Sequence, residues 1–167
     1  MSLRDLINYA ISVSDNSAHL MLIDYIGFNN LKNYGLALGG KVILTGGDKF
    51  GNQTARDTNI YLKEAYKIIS ENKDYGPFLL EIMDNEDHNA FNKEGIKIYH
   101  KYGSWDINFH DIGLNLEGSP YAISIFTTHA YSNYTEVIQN IHDKVRELND
   151  TFNKYRENKC YEEIYNS

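Results

Sequence analysis

The chain has 167 residues, and its 16 Lys and Arg against 23 Asp and Glu leave a net charge of -7 at neutral pH, which fits one acidic domain. A domain of this size buries about 70% of its unfolded surface, so neither disulfides nor a metal is needed to staple it, and the single Cys160 could form no internal disulfide. With no basic run there is no phosphate-backbone footprint, so no nucleic-acid partner is expected, and stretches such as Leu20 to Ile23 are too short to span a membrane.

Leu3, Leu6, Ile7, Ala10 and Ile11 recur at helical spacing and predict an opening amphipathic helix. Ser14, Asp15 and Asn16 are cap-type residues, and the nearly all-apolar run Ala18 to Ile26 after them predicts a second, deeply buried helix that Gly27 ends. Phe28 to Leu38 reads as a further short helix, followed by an irregular Gly-rich stretch from Gly39 to Gln53. Thr54 and Asp57 resemble a capping box, and Leu62, Ala65, Tyr66 and Ile69 mark one face of a helix to about Ser70. Pro77 suits the first turn of a shorter helix through about Met83.

The period then changes from helix to strand. Ile96, Ile98 and His100 alternate with polar neighbours, Phe109 to Leu116 makes a middle strand, and Tyr121, Ile123 and Ile125 alternate again. Turns at Gly103 to Asp106 and Glu117 to Pro120 make these an antiparallel meander. Tyr134, Val137, Ile138, Ile141, Val145, Leu148 and Phe152 form one helical stripe that can cover the sheet, and beyond Lys154 a polar, fraying tail is expected. The class is α+β: a helical part over about 1–90, sheet and terminal helix over about 96–154, and a tail over 155–167. The fourteen Tyr and seven Phe are read as packing residues rather than base-stacking ones.

Two short motifs stand out by their order. Leu3-Arg4-Asp5-Leu6-Ile7 through Ser14-Asp15-Asn16 and on to Gly27 resembles the S-D-N region of class A β-lactamases and related penicillin-recognising serine hydrolases. Lys97-Ile98-Tyr99-His100-Lys101-Tyr102-Gly103-Ser104 resembles the strand carrying that family's K-T-G motif, and His110-Asp111-Ile112-Gly113 and Pro120-Tyr121-Ala122-Ile123 resemble its next two strands. The likeness runs to about Phe152 and implies a partial β-lactamase or transpeptidase-like fold.

The resemblance also implies roles. Ser14 would relay the proton to the departing nitrogen, since a hydroxyl both donates and accepts, and Lys101 would attract the substrate carboxylate and assist that transfer. Asn16 would pair with the substrate's side-chain amide, Asp15 would hold the turn, the Ser104 N–H would be one oxyanion donor, and Gly103 would keep the strand edge open beside Tyr102. The implied ligand is a β-lactam or a peptidoglycan peptide, with no metal or other cofactor, and such proteins typically work outside the bacterial cytoplasm. Met1 to Asp5 shows no export-signal pattern.

Three departures qualify the likeness. The family's S-x-x-K nucleophile motif precedes S-D-N, whereas here the pattern occurs only at Ser70-Glu71-Asn72-Lys73, which reads as a solvated helix end. Tyr102 replaces the motif's Thr, and no Glu stands between Gly27 and Lys63, where class A enzymes carry the one that activates the deacylating water. The reading is a C-terminal portion of a serine hydrolase, inactive alone, or a non-catalytic binding protein on the same fold. Its buried helices call for cover by a homodimer or an N-terminal partner segment. His88 in its acidic run, His110 beside Asp111, and a sheet-satisfied His100 are read as structural, not as metal ligands or bases.

Overall fold

A computed structural model describes residues 1–46, 49–84, 89–91, 95–128 and 133–165, the last seven of these as backbone alone. The run 85–88 with His88, and the side chain of Cys160, lie outside this description. The described elements run α1 (Leu3–Ser12), α2 (Asn16–Ile26), α3 (Phe28–Ala37), α4 (Ala55–Glu71), α5 (Gly76–Asp84), β1 (Tyr99–Trp105), β2 (Asn108–Asn115), β3 (Tyr121–Thr127) and α6 (Tyr134–Tyr165).

Capping side chains set the helix starts. Ser2 and Asp5 close a reciprocal capping box on α1, Asp15 accepts the Ala18 N–H at 2.7 Å on α2, and Thr54 accepts the Asp57 N–H at 3.1 Å on α4. Gly27, at φ 87°, ends α2 in a conformation that favours glycine. Asp57 is buried and holds the preceding loop: it accepts the Val42 N–H at 2.8 Å, the Lys41 N–H at 3.3 Å and the Thr54 hydroxyl at 2.9 Å. These bonds, the Val42 N–H foremost, hold its carboxyl below the usual carboxylate range.

The strands form one antiparallel sheet in the order β1-β2-β3, with Lys101 opposite Ile112 and Gly113 opposite Ile123. Its α6-facing side carries Phe109, Ile123 and Ile125, which pack with Phe91, Ile98 and Ile138 into the main core. Helices α4 and α5 lie against the sheet as well: α5 packs on β1 and α4 on β2 and β3, where the Ser124 hydroxyl donates to Asn59 at 2.8 Å. The α+β class therefore stands, with helices on both faces of a three-stranded sheet.

Four expectations change. Strand β1 continues through Gly103 to Trp105, and the turn is the two-residue Asp106-Ile107, with Asp106 at the φ of 53° that tight hairpins need. Helix α2 buries only Ala18 and Ile23, because among the described elements it packs chiefly on α1 and α3, and Met21, Tyr25 and Ile26 stay exposed. Helix α6 runs past Lys154 to Tyr165, and its stripe divides: Ile138 is buried while Val137, Ile141, Leu148 and Phe152 face outward. The tyrosines divide: Tyr102, Tyr121 and Tyr134 pack against the core as expected, whereas Tyr25 and Tyr75 stand well out into solvent.

Candidate active site

The α1–α2 turn and strand β1 meet at two polar side chains. Asp15 caps α2, and its N–H donates to Tyr9 O at 3.0 Å, so the chain reverses tightly between the helices. Ser14, at the apex, sits at φ 55°, a left-handed conformation that costs a non-glycine residue about 1 kcal/mol or more. Helix α5 links this turn to the sheet: it packs on both α1 and β1, and the Ser12 hydroxyl donates to Ile82 O at 3.2 Å.

Where the turn meets the strand, the Lys101 ammonium donates to the Ser14 hydroxyl and, at 2.7 Å, to Tyr102 O. Strand alternation explains the direction, since Lys101 and its cross-strand partner Ile112 share the α4 side of the sheet while His100 and Tyr102 share the α6 side. A long ammonium chain anchored at two acceptors is a fixed positive charge, and the hydroxyl it touches keeps a proton to give.

The remaining residues divide. Asn16, on the first turn of α2, is exposed two residues beyond Ser14. Gly103 and Ser104 are exposed on β1, an edge strand among the described residues, and a methyl group added at Gly103 would meet nothing within 4 Å. The Tyr102 ring packs inward, stacked on Phe109 at 5.9 Å, with the Lys101 ammonium 4.6 Å from its centroid.

Ser70, the other S-x-x-K candidate, is exposed at the end of α4 and donates to Tyr66 O at 2.8 Å, a solvated helix terminus. His100 is buried inside the sheet, with Nδ1 2.9 Å from Asp111 Oδ1. Burial pushes the Asp111 carboxyl up, against the opposing pull of His100. His110 stacks on Phe126 at 4.4 Å, and burial lowers its pKa. Among the described residues no group of His, Cys, Asp and Glu has a metal-holding arrangement, and no helix is long and apolar enough to cross a membrane. A depression of about 230 Å³ by Glu117, Ser119, Arg146 and Asp150 includes neither Ser14 nor Lys101 in its lining.

Sequence and fold comparisons identify the family and the fold. The family model described as a beta-lactamase enzyme family matches residues 1–152, and the chain belongs to that family. No curated protein matches the sequence significantly. Among solved structures, a class A β-lactamase from Bacteroides cellulosilyticus is 26% identical, with a TM-score of 0.73 over 90% of this chain and 65% of its own. PBP-A is 21% identical, with a TM-score of 0.72 over 92% of this chain and 62% of its own. The TLA-3 extended-spectrum β-lactamase is 23% identical, with a TM-score of 0.66 over 81% and 59%. The chain thus spans less than two thirds of the length of these relatives.

Proposed function

We propose that this chain carries the proton-relay and carboxylate-binding half of a serine acyl-transfer site for β-lactams or D-alanyl cell-wall peptides. The observation that carries the reading is the Lys101 ammonium on the Ser14 hydroxyl, made between segments 87 residues apart. In this reading an attacking serine outside the chain bonds to the carbonyl carbon as the carbon–nitrogen bond opens. Ser14 hands its hydroxyl proton to the departing nitrogen and is reprotonated from the nucleophile's side, while Lys101 holds the field positive and receives the substrate carboxylate. Asn16 holds the substrate's side-chain amide, and the open edge at Gly103 and Ser104 offers the oxyanion donor. A mutant of PBP-A, a protein of this fold, was solved as an acyl-enzyme complex with penicillin G, which supports the reading.

The chain alone is inactive in this reading, because Ser70 is remote in role and solvated. Its complement is a further polypeptide segment or a second copy. Two surfaces support that: the outer edge of β3, unpaired among the described residues, and the outward stripe Val137, Ile141, Leu148 and Phe152 on α6, which packs on β3. Exposed apolar area of this kind is disfavoured by about 25 cal/mol per Å².

One observation favours a second reading, a non-catalytic protein that binds cell-wall peptide at the same site. The Tyr102 ring is packed on Phe109, so the motif's short hydroxyl has no equivalent at that side chain. Fluorescent penicillin separates the two. Covalent label on a polypeptide joining this chain to an S-x-x-K segment, lost in Lys101→Ala, supports acyl transfer. No label supports binding alone, and label on Ser70 of the isolated chain would contradict both.

A further inference from the structure

On the face of β1 opposite Lys101, His100 and Asp111 form a pair that is 1% and 0% exposed. Asp111 accepts from both sides, with Oδ1 2.9 Å from His100 Nδ1 and Oδ2 3.1 Å from the Ala90 N–H. Phe91, fully buried, sets its ring edge-on to His100 at 6.4 Å and to His142 at 5.3 Å, and His142 in turn lies 2.6 Å from the Tyr121 hydroxyl. Gly113, across the ladder from His100, leaves no slack: a methyl group there would lie 2.5 Å from Ile98 and 3.2 Å from the His100 Cβ. His100 is thus fixed on each of these sides, and the next residue along the strand is Lys101.

A buried ionisable pair is a poor source of stability, since well-packed apolar residues of like volume hold a sheet as well or better. What such a pair supplies is a directional bond that allows one position and no other. A lysine side chain has four rotatable carbons, so its ammonium stays on a target only where the backbone that roots it does not shift. We propose that His100 and Asp111 are positioning residues for Lys101, a buried latch under β1 that keeps the ammonium on Ser14. The inference rests on the proposed function for its purpose, but its geometry can be tested without any ligand.

The test is hydrogen exchange of the Lys101 ammonium, read by NMR of the ¹⁵N-labelled chain, with Lys101→Ala to assign the signal. Asn at position 100 places an N–H where Nδ1 stood, so His100→Asn retains slow exchange, whereas His100→Leu and Asp111→Asn accelerate it about tenfold, the scale of one lost hydrogen bond. Unchanged exchange in His100→Leu overturns the proposal, as does His100→Asn matching His100→Leu. Should His100→Leu fail to fold, Asp111→Asn gives the reading. Failure of both to fold overturns the proposal too, because the pair would then hold the fold rather than the lysine. Absence of penicillin labelling alongside the expected exchange pattern would remove the functional reading and leave the latch in place.

Discussion

The Lys101 ammonium rests on the Ser14 hydroxyl, and Ser14 holds a left-handed backbone to meet it. Strain and contact act in opposite directions on stability, which two substitutions separate. Ser14→Gly relieves the backbone by about as much as the lost bond costs and leaves the unfolding free energy nearly unchanged, whereas Ser14→Ala keeps the strain, loses the bond and lowers it by about 1 kcal/mol. Urea denaturation reads the difference, and Ser14→Ala proving the more stable of the two would contradict the strained geometry.

Phe91 and Ile138 are fully buried in the core between the sheet and α6. Phe91→Ala costs about 3–5 kcal/mol and Ile138→Ala about 2–5 kcal/mol, while Leu148→Ala and Phe152→Ala, on the outward face of the same helix, cost much less in the isolated chain. Thermal melts of the four variants check the division. Equal losses on both faces would show that the outward stripe is covered.

Asp57 gives a pH dependence with a definite sign. Its pKa is depressed in the folded chain, chiefly by the Val42 N–H, so its contribution is fully present above the unfolded value near 4 and is lost as pH falls through the lower folded value. Asp57→Asn therefore lowers the melting temperature at pH 6, and its gap to the parent chain closes as pH drops below about 4. A gap that stays constant or widens there would mean that the Lys41 and Val42 bonds do not depend on the charge.

The outward α6 stripe and the open β3 edge predict that the isolated chain self-associates or binds a hydrophobic dye. Ile141→Lys with Leu148→Glu abolishes both while leaving the Lys101–Ser14 contact in place. A parent chain that is strictly monomeric in light scattering and binds no dye would contradict the need for a complement.

The alternation around Ile123 and the period of α6 were legible because side-chain spacing follows backbone geometry directly. The Ser14 and Lys101 motifs could be paired through their resemblance to a known family, although each alone is a common cap or edge charge. What escaped was long-range. The apolar run of α2 reads as buried, but depth depends on what lies over it, and Met21 and Tyr25 meet no covering element among those described. Gly103 looked like a turn residue, yet the hairpin closes three residues later at Asp106, where an Asp tolerates positive φ. His100 and Asp111 are eleven residues apart on different strands, and their pairing appears only once the β1–β2 register is set.

The most direct measurement is an NMR titration of this chain with benzylpenicillin. Chemical-shift changes confined to Ser14–Asn16 and Lys101–Ser104, with an affinity on the order of millimolar and lost in Lys101→Ala, are what a half-site predicts. Binding that leaves those signals unmoved, or that gathers instead around Arg146 and Asp150, would remove the Ser14–Lys101 site from the account.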